Sequence, residues 1–334
     1  MITQESVLVQ LIRLVERIPS PPPPRRRPRG RPTVYSEKLF LKALLIMIVR
    51  RLHKVGELLA VLKEPTPEMS MVRDSLREEG RLPSRRTFER RLKAVPESLP
   101  EQIGCLGRHL VEVLKPWESR GRAVALDSTT LQAKGGVWHK KDKKAGKVPH
   151  TSTMDTEAGW TKSGWHGWVY GWKLHLAITV CEVWIPLAAR LTPANTADNL
   201  VAPYLIEQLP DEARFVLGDI HYNAPNVKRA CLHHSSTEEE RFLVTTKRGA
   251  YPHTDDGVEV RRIFHKLRSM TNENFNEHFK AIFEVHGEVP TKGLINTARF
   301  ALGAVLVYQL ALLYRHHERK LDINRGLKPF LRAA

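Results

Sequence analysis

The sequence predicts an α/β protein: a mixed sheet flanked by helices, preceded by a small all-α unit. Three observations point there. The first 118 residues carry apolar positions at helical spacing with caps in front of them. From Arg122 short apolar or alternating runs take over, separated by helical stretches. Strands interleaved with helices in this way make a sheet covered on its faces. Finally, 334 residues exceed one ordinary domain of roughly 100–200 residues, so two units fit the length.

Taken in order, residues 1–19 form an N-terminal helix, with Val7, Leu8, Leu11, Leu14 and Val15 at helical spacing. Residues 20–33, SPPPPRRRPRGRPT, cannot continue it, because proline lacks the amide donor and favours an extended chain. Its arginines Arg25, Arg26, Arg27, Arg29 and Arg31 admit two readings, a solvated tether or an arm that tracks DNA phosphates. Residues 34–118 form the helical unit. Ser36 caps an apolar helix to about His53, a short helix follows at Val55–Leu62, and Ser84 caps a helix with Phe88, Leu92 and Val95 inward. On that last helix Arg85, Arg86, Arg90 and Arg91 face outward, as on the DNA-contacting helix of a helix-turn-helix or on an ordinary solvated face. A separate helix, Leu99–Leu114, closes the unit before Pro116.

Residues 119–315 carry the strands, in RAVALDST, YGWKLHLAITV, WIPLAARLTPA, ARFVLGDIHYNA and RFLVTTKR, with helices at about 195–208 and 224–233. Residues 249–260 are expected as a short loop or hairpin, helices run from about Phe264, and residues 316–334 form a basic tail. The longest apolar stretches, Leu39–Val49 and Ala301–Tyr314, fall short of the ~20 residues of a membrane span and read as core helices.

Charge narrows the function. Lys+Arg 53 against Asp+Glu 36 gives +17, and residues 1–122 hold 25 basic and 14 acidic side chains, so most of the excess sits in the first third. Such an excess points to a polyanion, with nucleic acid foremost. Cys105, Cys181 and Cys231 are too dispersed for a disulfide framework or thiolate zinc site, which fits a reducing cytosol, and the N-terminus shows no secretory pattern. His139, His150, His166 and His175 do not make a zinc ligand set.

Two apolar runs, VALD and FVLGD, each end on an aspartate where the chain leaves the sheet. Neighbouring strands would bring Asp127 and Asp219 to one rim, and paired carboxylates suit hard divalent cations. An aspartate at a strand end is also an ordinary turn former. Glu273 lies on a helix whose core positions are Phe275, Phe279 and Ile282, and Lys280 follows two turns later on the same side. Glu277 is the rival third carboxylate. The cluster Lys140, Lys141, Lys143 and Lys144 lies in the loop after the first aspartate, either solvated or against DNA. Trp165 and Trp168, on a Gly-flanked loop near the presumed site, are candidates for base stacking, while Tyr170 and Trp172 read as sheet residues.

The order Asp127 in ALDST, Asp219 in VLGDIHYNA, and Glu273 with Lys280 in E-x6-K resembles bacterial insertion-sequence transposases of the DDE type. YGWKLHL, LTPANTADN and VPTKGLINTARFALGAVLVYQLALLY are similar to further segments of that family. The resemblance covers about residues 120–315 and implies an RNase H-like catalytic core, with GRPTVYSEKL and LPSRRTFERRL resembling its DNA-binding region. It implies Asp127, Asp219 and Glu273 as catalytic metal ligands for two Mg²⁺ ions, with Mn²⁺ as a substitute. It also implies cleavage at terminal inverted repeats, strand transfer of the 3′-hydroxyl, and double-stranded DNA bound by a dimer in the bacterial cytoplasm. Ser269 stands where a commoner pattern has arginine, with Arg268 one residue off. A metal-dependent nuclease without strand transfer and a repurposed, inactive DNA-binding protein are the alternatives.

Overall fold

Ser6, Ser36, Thr66 and Ser84 each start a helix by accepting the amide three residues on: Val9 at 3.3 Å, Leu39 at 3.2 Å, Met69 at 3.2 Å and Thr87 at 3.3 Å. These bonds satisfy amides that have no partner within the helix. The helices so begun are α1 (Val7–Arg17), α2 (Glu37–Val49), α4 (Pro67–Ser75) and α5 (Arg85–Leu114), with the short α3 (Val55–Val61) between α2 and α4. The computed structural model describes residues 6–22, 34–117, 122–148, 154–164, 167–232, 241–245, 255–318 and 326–333. The arm holding Arg25, Arg26, Arg27, Arg29 and Arg31, and Trp165, lie outside the described residues.

Two expectations for the helical unit change. The helices expected at 84–95 and 99–114 are one 30-residue helix, α5, running through Pro96 and Pro100. Proline inside a helix costs a hydrogen bond and about 3 kcal/mol, and burial of Phe88, Leu92, Leu99, Ile103, Leu106 and Leu110 along one face offsets it. The link from α4 to α5 is also not a helix-turn-helix turn of three or four residues. It spans 76–84 and contains an antiparallel bridge between Glu78 and Arg81.

The sheet begins with β1 (Ala123–Gln132), followed by α6 (Lys140–Lys144), β2 (Gly159–Ser163), β3 (Gly167–Thr179) and β4 (Pro186–Pro193). Then come α7 (Asp198–Glu207), β5 (Phe215–Gly218), a 3₁₀ turn at Ile220–Tyr222, α8 (Pro225–Leu232) and β6 (Phe242–Thr245). The chain closes with α9 (Asp255–Phe283), α10 (Leu294–His317) and α11 (Leu327–Ala333). The central path is β4-β3-β1-β5-β6, and β2 extends the first half of β3 on the β4 side. β3 is antiparallel to β1 and to β4, whereas β5 is parallel to β1 and β6 to β5. This is the RNase H-like arrangement, a mixed sheet with flanking helices preceded by N-terminal helices.

The ends of the chain are more integrated than the sequence suggests. One apolar core runs from Leu8 and Ile12 of α1 through Leu44 of α2 and Leu106 of α5 to Tyr308 of α10 and Leu331 of α11. The expected basic tail therefore includes a helix that buries Leu327 and Leu331. The expected loop at 249–260 gives way from Asp255 to the first turns of α9. α10, with 24 residues, is long and apolar enough to cross a membrane, but 89% of its most apolar window is buried inside the protein.

Candidate active site

β1 does not stop at Asp127, contrary to the strand-end expectation, but continues to Gln132, leaving Asp127 opposite Leu176 in mid-strand. What ends there is the parallel partner. β5 pairs Ala123 with Phe215, Val124 with Val216 and Ala125 with Leu217, a constant offset of 92 residues. The same 92 separates Asp127 from Asp219, so Asp219 follows the last residue of β5 beside Asp127. Asp219 then caps the 3₁₀ turn, its Oδ1 accepting the His221 amide at 2.8 Å. Gly218 is required just before it, because a Cβ there would sit 2.6 Å from Cβ of the buried Tyr222.

Burial pushes the Asp127 carboxyl up to about 6, and the negative charges of Asp219 and Asp198 add to the shift while Arg268 opposes it. A carboxylate that burial and like charges push toward its neutral form is a good partner for a hard cation. α9 supplies the other wall. Asn276 Nδ2 donates to Asp127 Oδ2 at 3.1 Å, and Asn272 Nδ2 lies 3.5 Å from the Leu126 carbonyl. Lys280 is shifted down by burial, with Glu277 and Asp127 opposing. Arg268, Asn272, Asn276 and Lys280 recur every four residues, so one stripe of α9 faces β1.

Glu273 is one step off that stripe. It is exposed, and its Oε1 accepts the Ser269 hydroxyl at 2.7 Å. Glu277, the rival, is exposed as well and lies 3.5 Å from His286. Among the described residues no three carboxylate, histidine or cysteine side chains gather as a metal-holding group. The structure thus brings Asp127, Asp219 and Lys280 together and leaves Glu273 on the adjoining face of the same helix. As donors the two aspartates fit a divalent cation in charge and oxygen chemistry.

Asp198, not singled out in the sequence, supports the site from behind. Ser128 pairs with His175 on β3, so both point to the sheet face opposite Asp127, as does Lys173. Asp198, at the start of α7, meets them there: Lys173 Nζ donates to both carboxylate oxygens at 3.1 Å, and His175 Nδ1 lies 3.3 Å away. Burial raises the Asp198 pKa, but hydrogen bonds from His175 and Ser128 and the charge of Lys173 outweigh it and hold the carboxyl well below its usual range. This ionised group braces the back of the strand that carries Asp127. The signal was the TADN segment, where an aspartate opening a helix reads as a cap.

The remaining candidates are dispersed. Arg85, Arg86 and Arg90 are exposed on the first turns of α5, Arg85 paired with Glu89 at 2.8 Å, while the Arg91 guanidinium lies 4.9 Å from the Phe40 ring centre. Lys143 is tied down by donating to the Ala158 carbonyl at 2.7 Å; Lys140, Lys141 and Lys144 are exposed. Trp168 lies on β3 rather than on a loop, 57% exposed, with Lys140 Nζ 4.5 Å from its ring centre. Eight residues of β3 separate Trp168 from Leu176, the partner of Asp127, which is about 26 Å along the strand and not near the aspartates. Trp172 and Tyr170 are buried in the sheet.

Residues 118–276 match the family model described as "Transposase DDE domain". The range includes Asp127, Asp219 and Glu273. Over 99% of its length the chain is similar to 76% of the piggyBac transposase in a cryo-EM synaptic complex with hairpin DNA, with 9% sequence identity and a TM-score of 0.37. No curated protein matches the chain.

Proposed function

We propose that this protein, built on a transposase DDE domain, is a DNA transposase that cuts at the terminal inverted repeats of a mobile element and joins the freed 3′ ends to target DNA. The observation that carries the reading is the shared 92-residue offset, which sets Asp127 beside Asp219 inside the matched domain. Asp127, Asp219 and Glu273 are the residues that would hold two Mg²⁺ ions, or Mn²⁺ in their place. When bound, the ions supply stabilisation of the attacking and leaving oxygens at phosphorus. Asn276 holds the orientation of Asp127, and Arg268 and Lys280 offer cations beside it for a DNA phosphate. In cleavage a water oxygen bonds to phosphorus as the bond to the 3′-oxygen breaks. In strand transfer that 3′-hydroxyl bonds to a target phosphorus and displaces the target's 3′-oxygen. The reading includes a dimer holding two double-stranded ends in the bacterial cytoplasm.

The test is cleavage of DNA bearing the element's terminal repeats with Mg²⁺, comparing wild type with Asp127→Ala, Asp219→Ala and Glu273→Ala. Loss of nicked and joined product in each variant is the expected result; activity surviving all three overturns the site. Nicking without joined product would instead indicate a nuclease of the same core. A second reading has its own observation. Glu273 is exposed and engaged by Ser269, as in a DNA-binding protein that no longer cuts, and a wild type inert with both Mg²⁺ and Mn²⁺ supports it.

A further inference from the structure

Beyond the end of β1 a cleft of about 600 Å³ opens between α3, the start of α5 and the turn before α10. Its walls include Lys54, Arg85, Lys93, Lys134, Lys292 and Arg299, against two carboxylates, Glu57 and Glu89. Both acids are engaged locally. Glu57 accepts the amides of His53 at 2.7 Å and Lys54 at 3.1 Å, and Glu89 pairs with Arg85 at 2.8 Å. Arg299 is half-buried, its guanidinium 3.4 Å from the His53 carbonyl, and among the described residues no carboxylate pairs with it. Burial alone lowers its pKa. A desolvated guanidinium without a counter-charge, in a cleft with further lysines, is poised for an external anion.

The fold links this cleft to the aspartates. Gln132 lies five residues past Asp127 on β1, about 17 Å along the strand, and Lys134 follows with its Nζ 2.9 Å from the Pro290 carbonyl at the cleft wall. That span equals about five steps of duplex DNA at 3.4 Å per step.

We propose that this cleft is a phosphate-binding channel for duplex DNA, gripping the backbone about five base pairs from the position that Asp127 and Asp219 address. The proposal rests on the reading of DNA as substrate. It assigns the grip to an opening between the N-terminal helices and the sheet domain, not to the outward arginine face of α5 alone. Lys54 and Lys93 are exposed and make no hydrogen bond through their ammonium groups in the described structure, so their removal tests the channel without disturbing the fold.

The experiment measures fluorescence anisotropy of a labelled 40-base-pair random duplex against salt, in EDTA, with the full chain. Two variants accompany the wild type: Lys54→Ala/Lys93→Ala and the charge-matched control Lys228→Ala/Arg229→Ala on α8. In the cleft pair the slope of log affinity against log salt falls by about 2, at about 0.9 for each phosphate no longer neutralised, while the control keeps the wild-type slope. A cleft pair with the wild-type slope, or a control with an equal drop, overturns the channel. A wild type that does not bind the duplex overturns the channel and the DNA substrate together. A lowered slope in the cleft pair alongside unimpaired cleavage by Asp127→Ala in the Mg²⁺ assay upholds the channel and overturns only the assignment of the active site.

Discussion

The two aspartates and the glutamate of one sequence motif arrive in different surroundings because strands and helices place side chains by different rules. Asp127 and Asp219 meet through the β1–β5 ladder, where backbone hydrogen bonds fix the register at Ala123–Ala125 and carry it two residues further. Glu273 depends on the phase of α9, and that phase is set by Phe275 and Phe279, which are buried against the core and stack at 5.8 Å. With those rings inward, Asn272 and Asn276 face β1 and Glu273 stands one residue off. A ladder delivers a pair by itself; a helix delivers its residue only through a side-chain swing or a small rotation.

The largest effect expected is therefore the one that asks which glutamate joins the pair. Asp127→Ala should lower cleavage by more than the roughly 10–100-fold typical of residues that only support a ligand. If Glu273 swings in on binding Mg²⁺, Glu273→Ala matches that loss and Glu277→Ala stays within a few-fold. Rates of nicking on repeat-bearing DNA decide it, and the reverse order would assign the third position to Glu277.

Next in size is the brace behind β1. Asp198→Ala leaves Lys173 and His175 facing a mostly buried gap, and breaking such a pair from one side costs about 3–5 kcal/mol. The depressed Asp198 pKa gives this contribution a direction with pH. It is fully present above the unfolded carboxyl value near 3.8 and fades as the pH falls from there through the lower folded value. Urea unfolding midpoints at pH 7 and pH 3 should thus differ less in Asp198→Ala than in the wild type. An unchanged midpoint at pH 7 would mean that the Asp198 cluster does not stabilise β1.

Much of the strand half is legible in the sequence, because VALD and FVLGD are short apolar runs and the period-two pattern of YGWKLHLAITV is strong. The spacing of 92 carried the register as well, although only the structure shows that it equals the ladder offset. The helical half is less so. The expectation of two helices at 84–95 and 99–114 misses their continuity, since a local pattern does not reveal that α5 is held along its length by Leu92, Leu99, Ile103 and Leu106. The R-x3-N-x3-N-x3-K stripe from Arg268 to Lys280 was present in the letters, yet asparagines carry no signal until something lies across from them. Asp198 was hidden for the same reason, since it opens α7 while its partners Lys173 and His175 lie on β3.

The smallest expected effect tests the tip of β3, the region furthest along the sheet from the aspartates. Lys140 over Trp168 at 4.5 Å is an exposed cation–π pair, which contributes about 0.5–1 kcal/mol. Lys140→Gln should therefore lower the unfolding free energy by no more than that. If a DNA phosphate draws Lys140 away, the Trp168 face is uncovered, and stacking on an unpaired base contributes about 1–3 kcal/mol per base. Trp168→Ala should then weaken binding of a duplex with a single-stranded overhang more than binding of a blunt duplex, by roughly 5–150-fold on that scale. No loss on either would make Trp168 a passive surface residue, and equal losses on both would make it a contact to the duplex and not to an unpaired base.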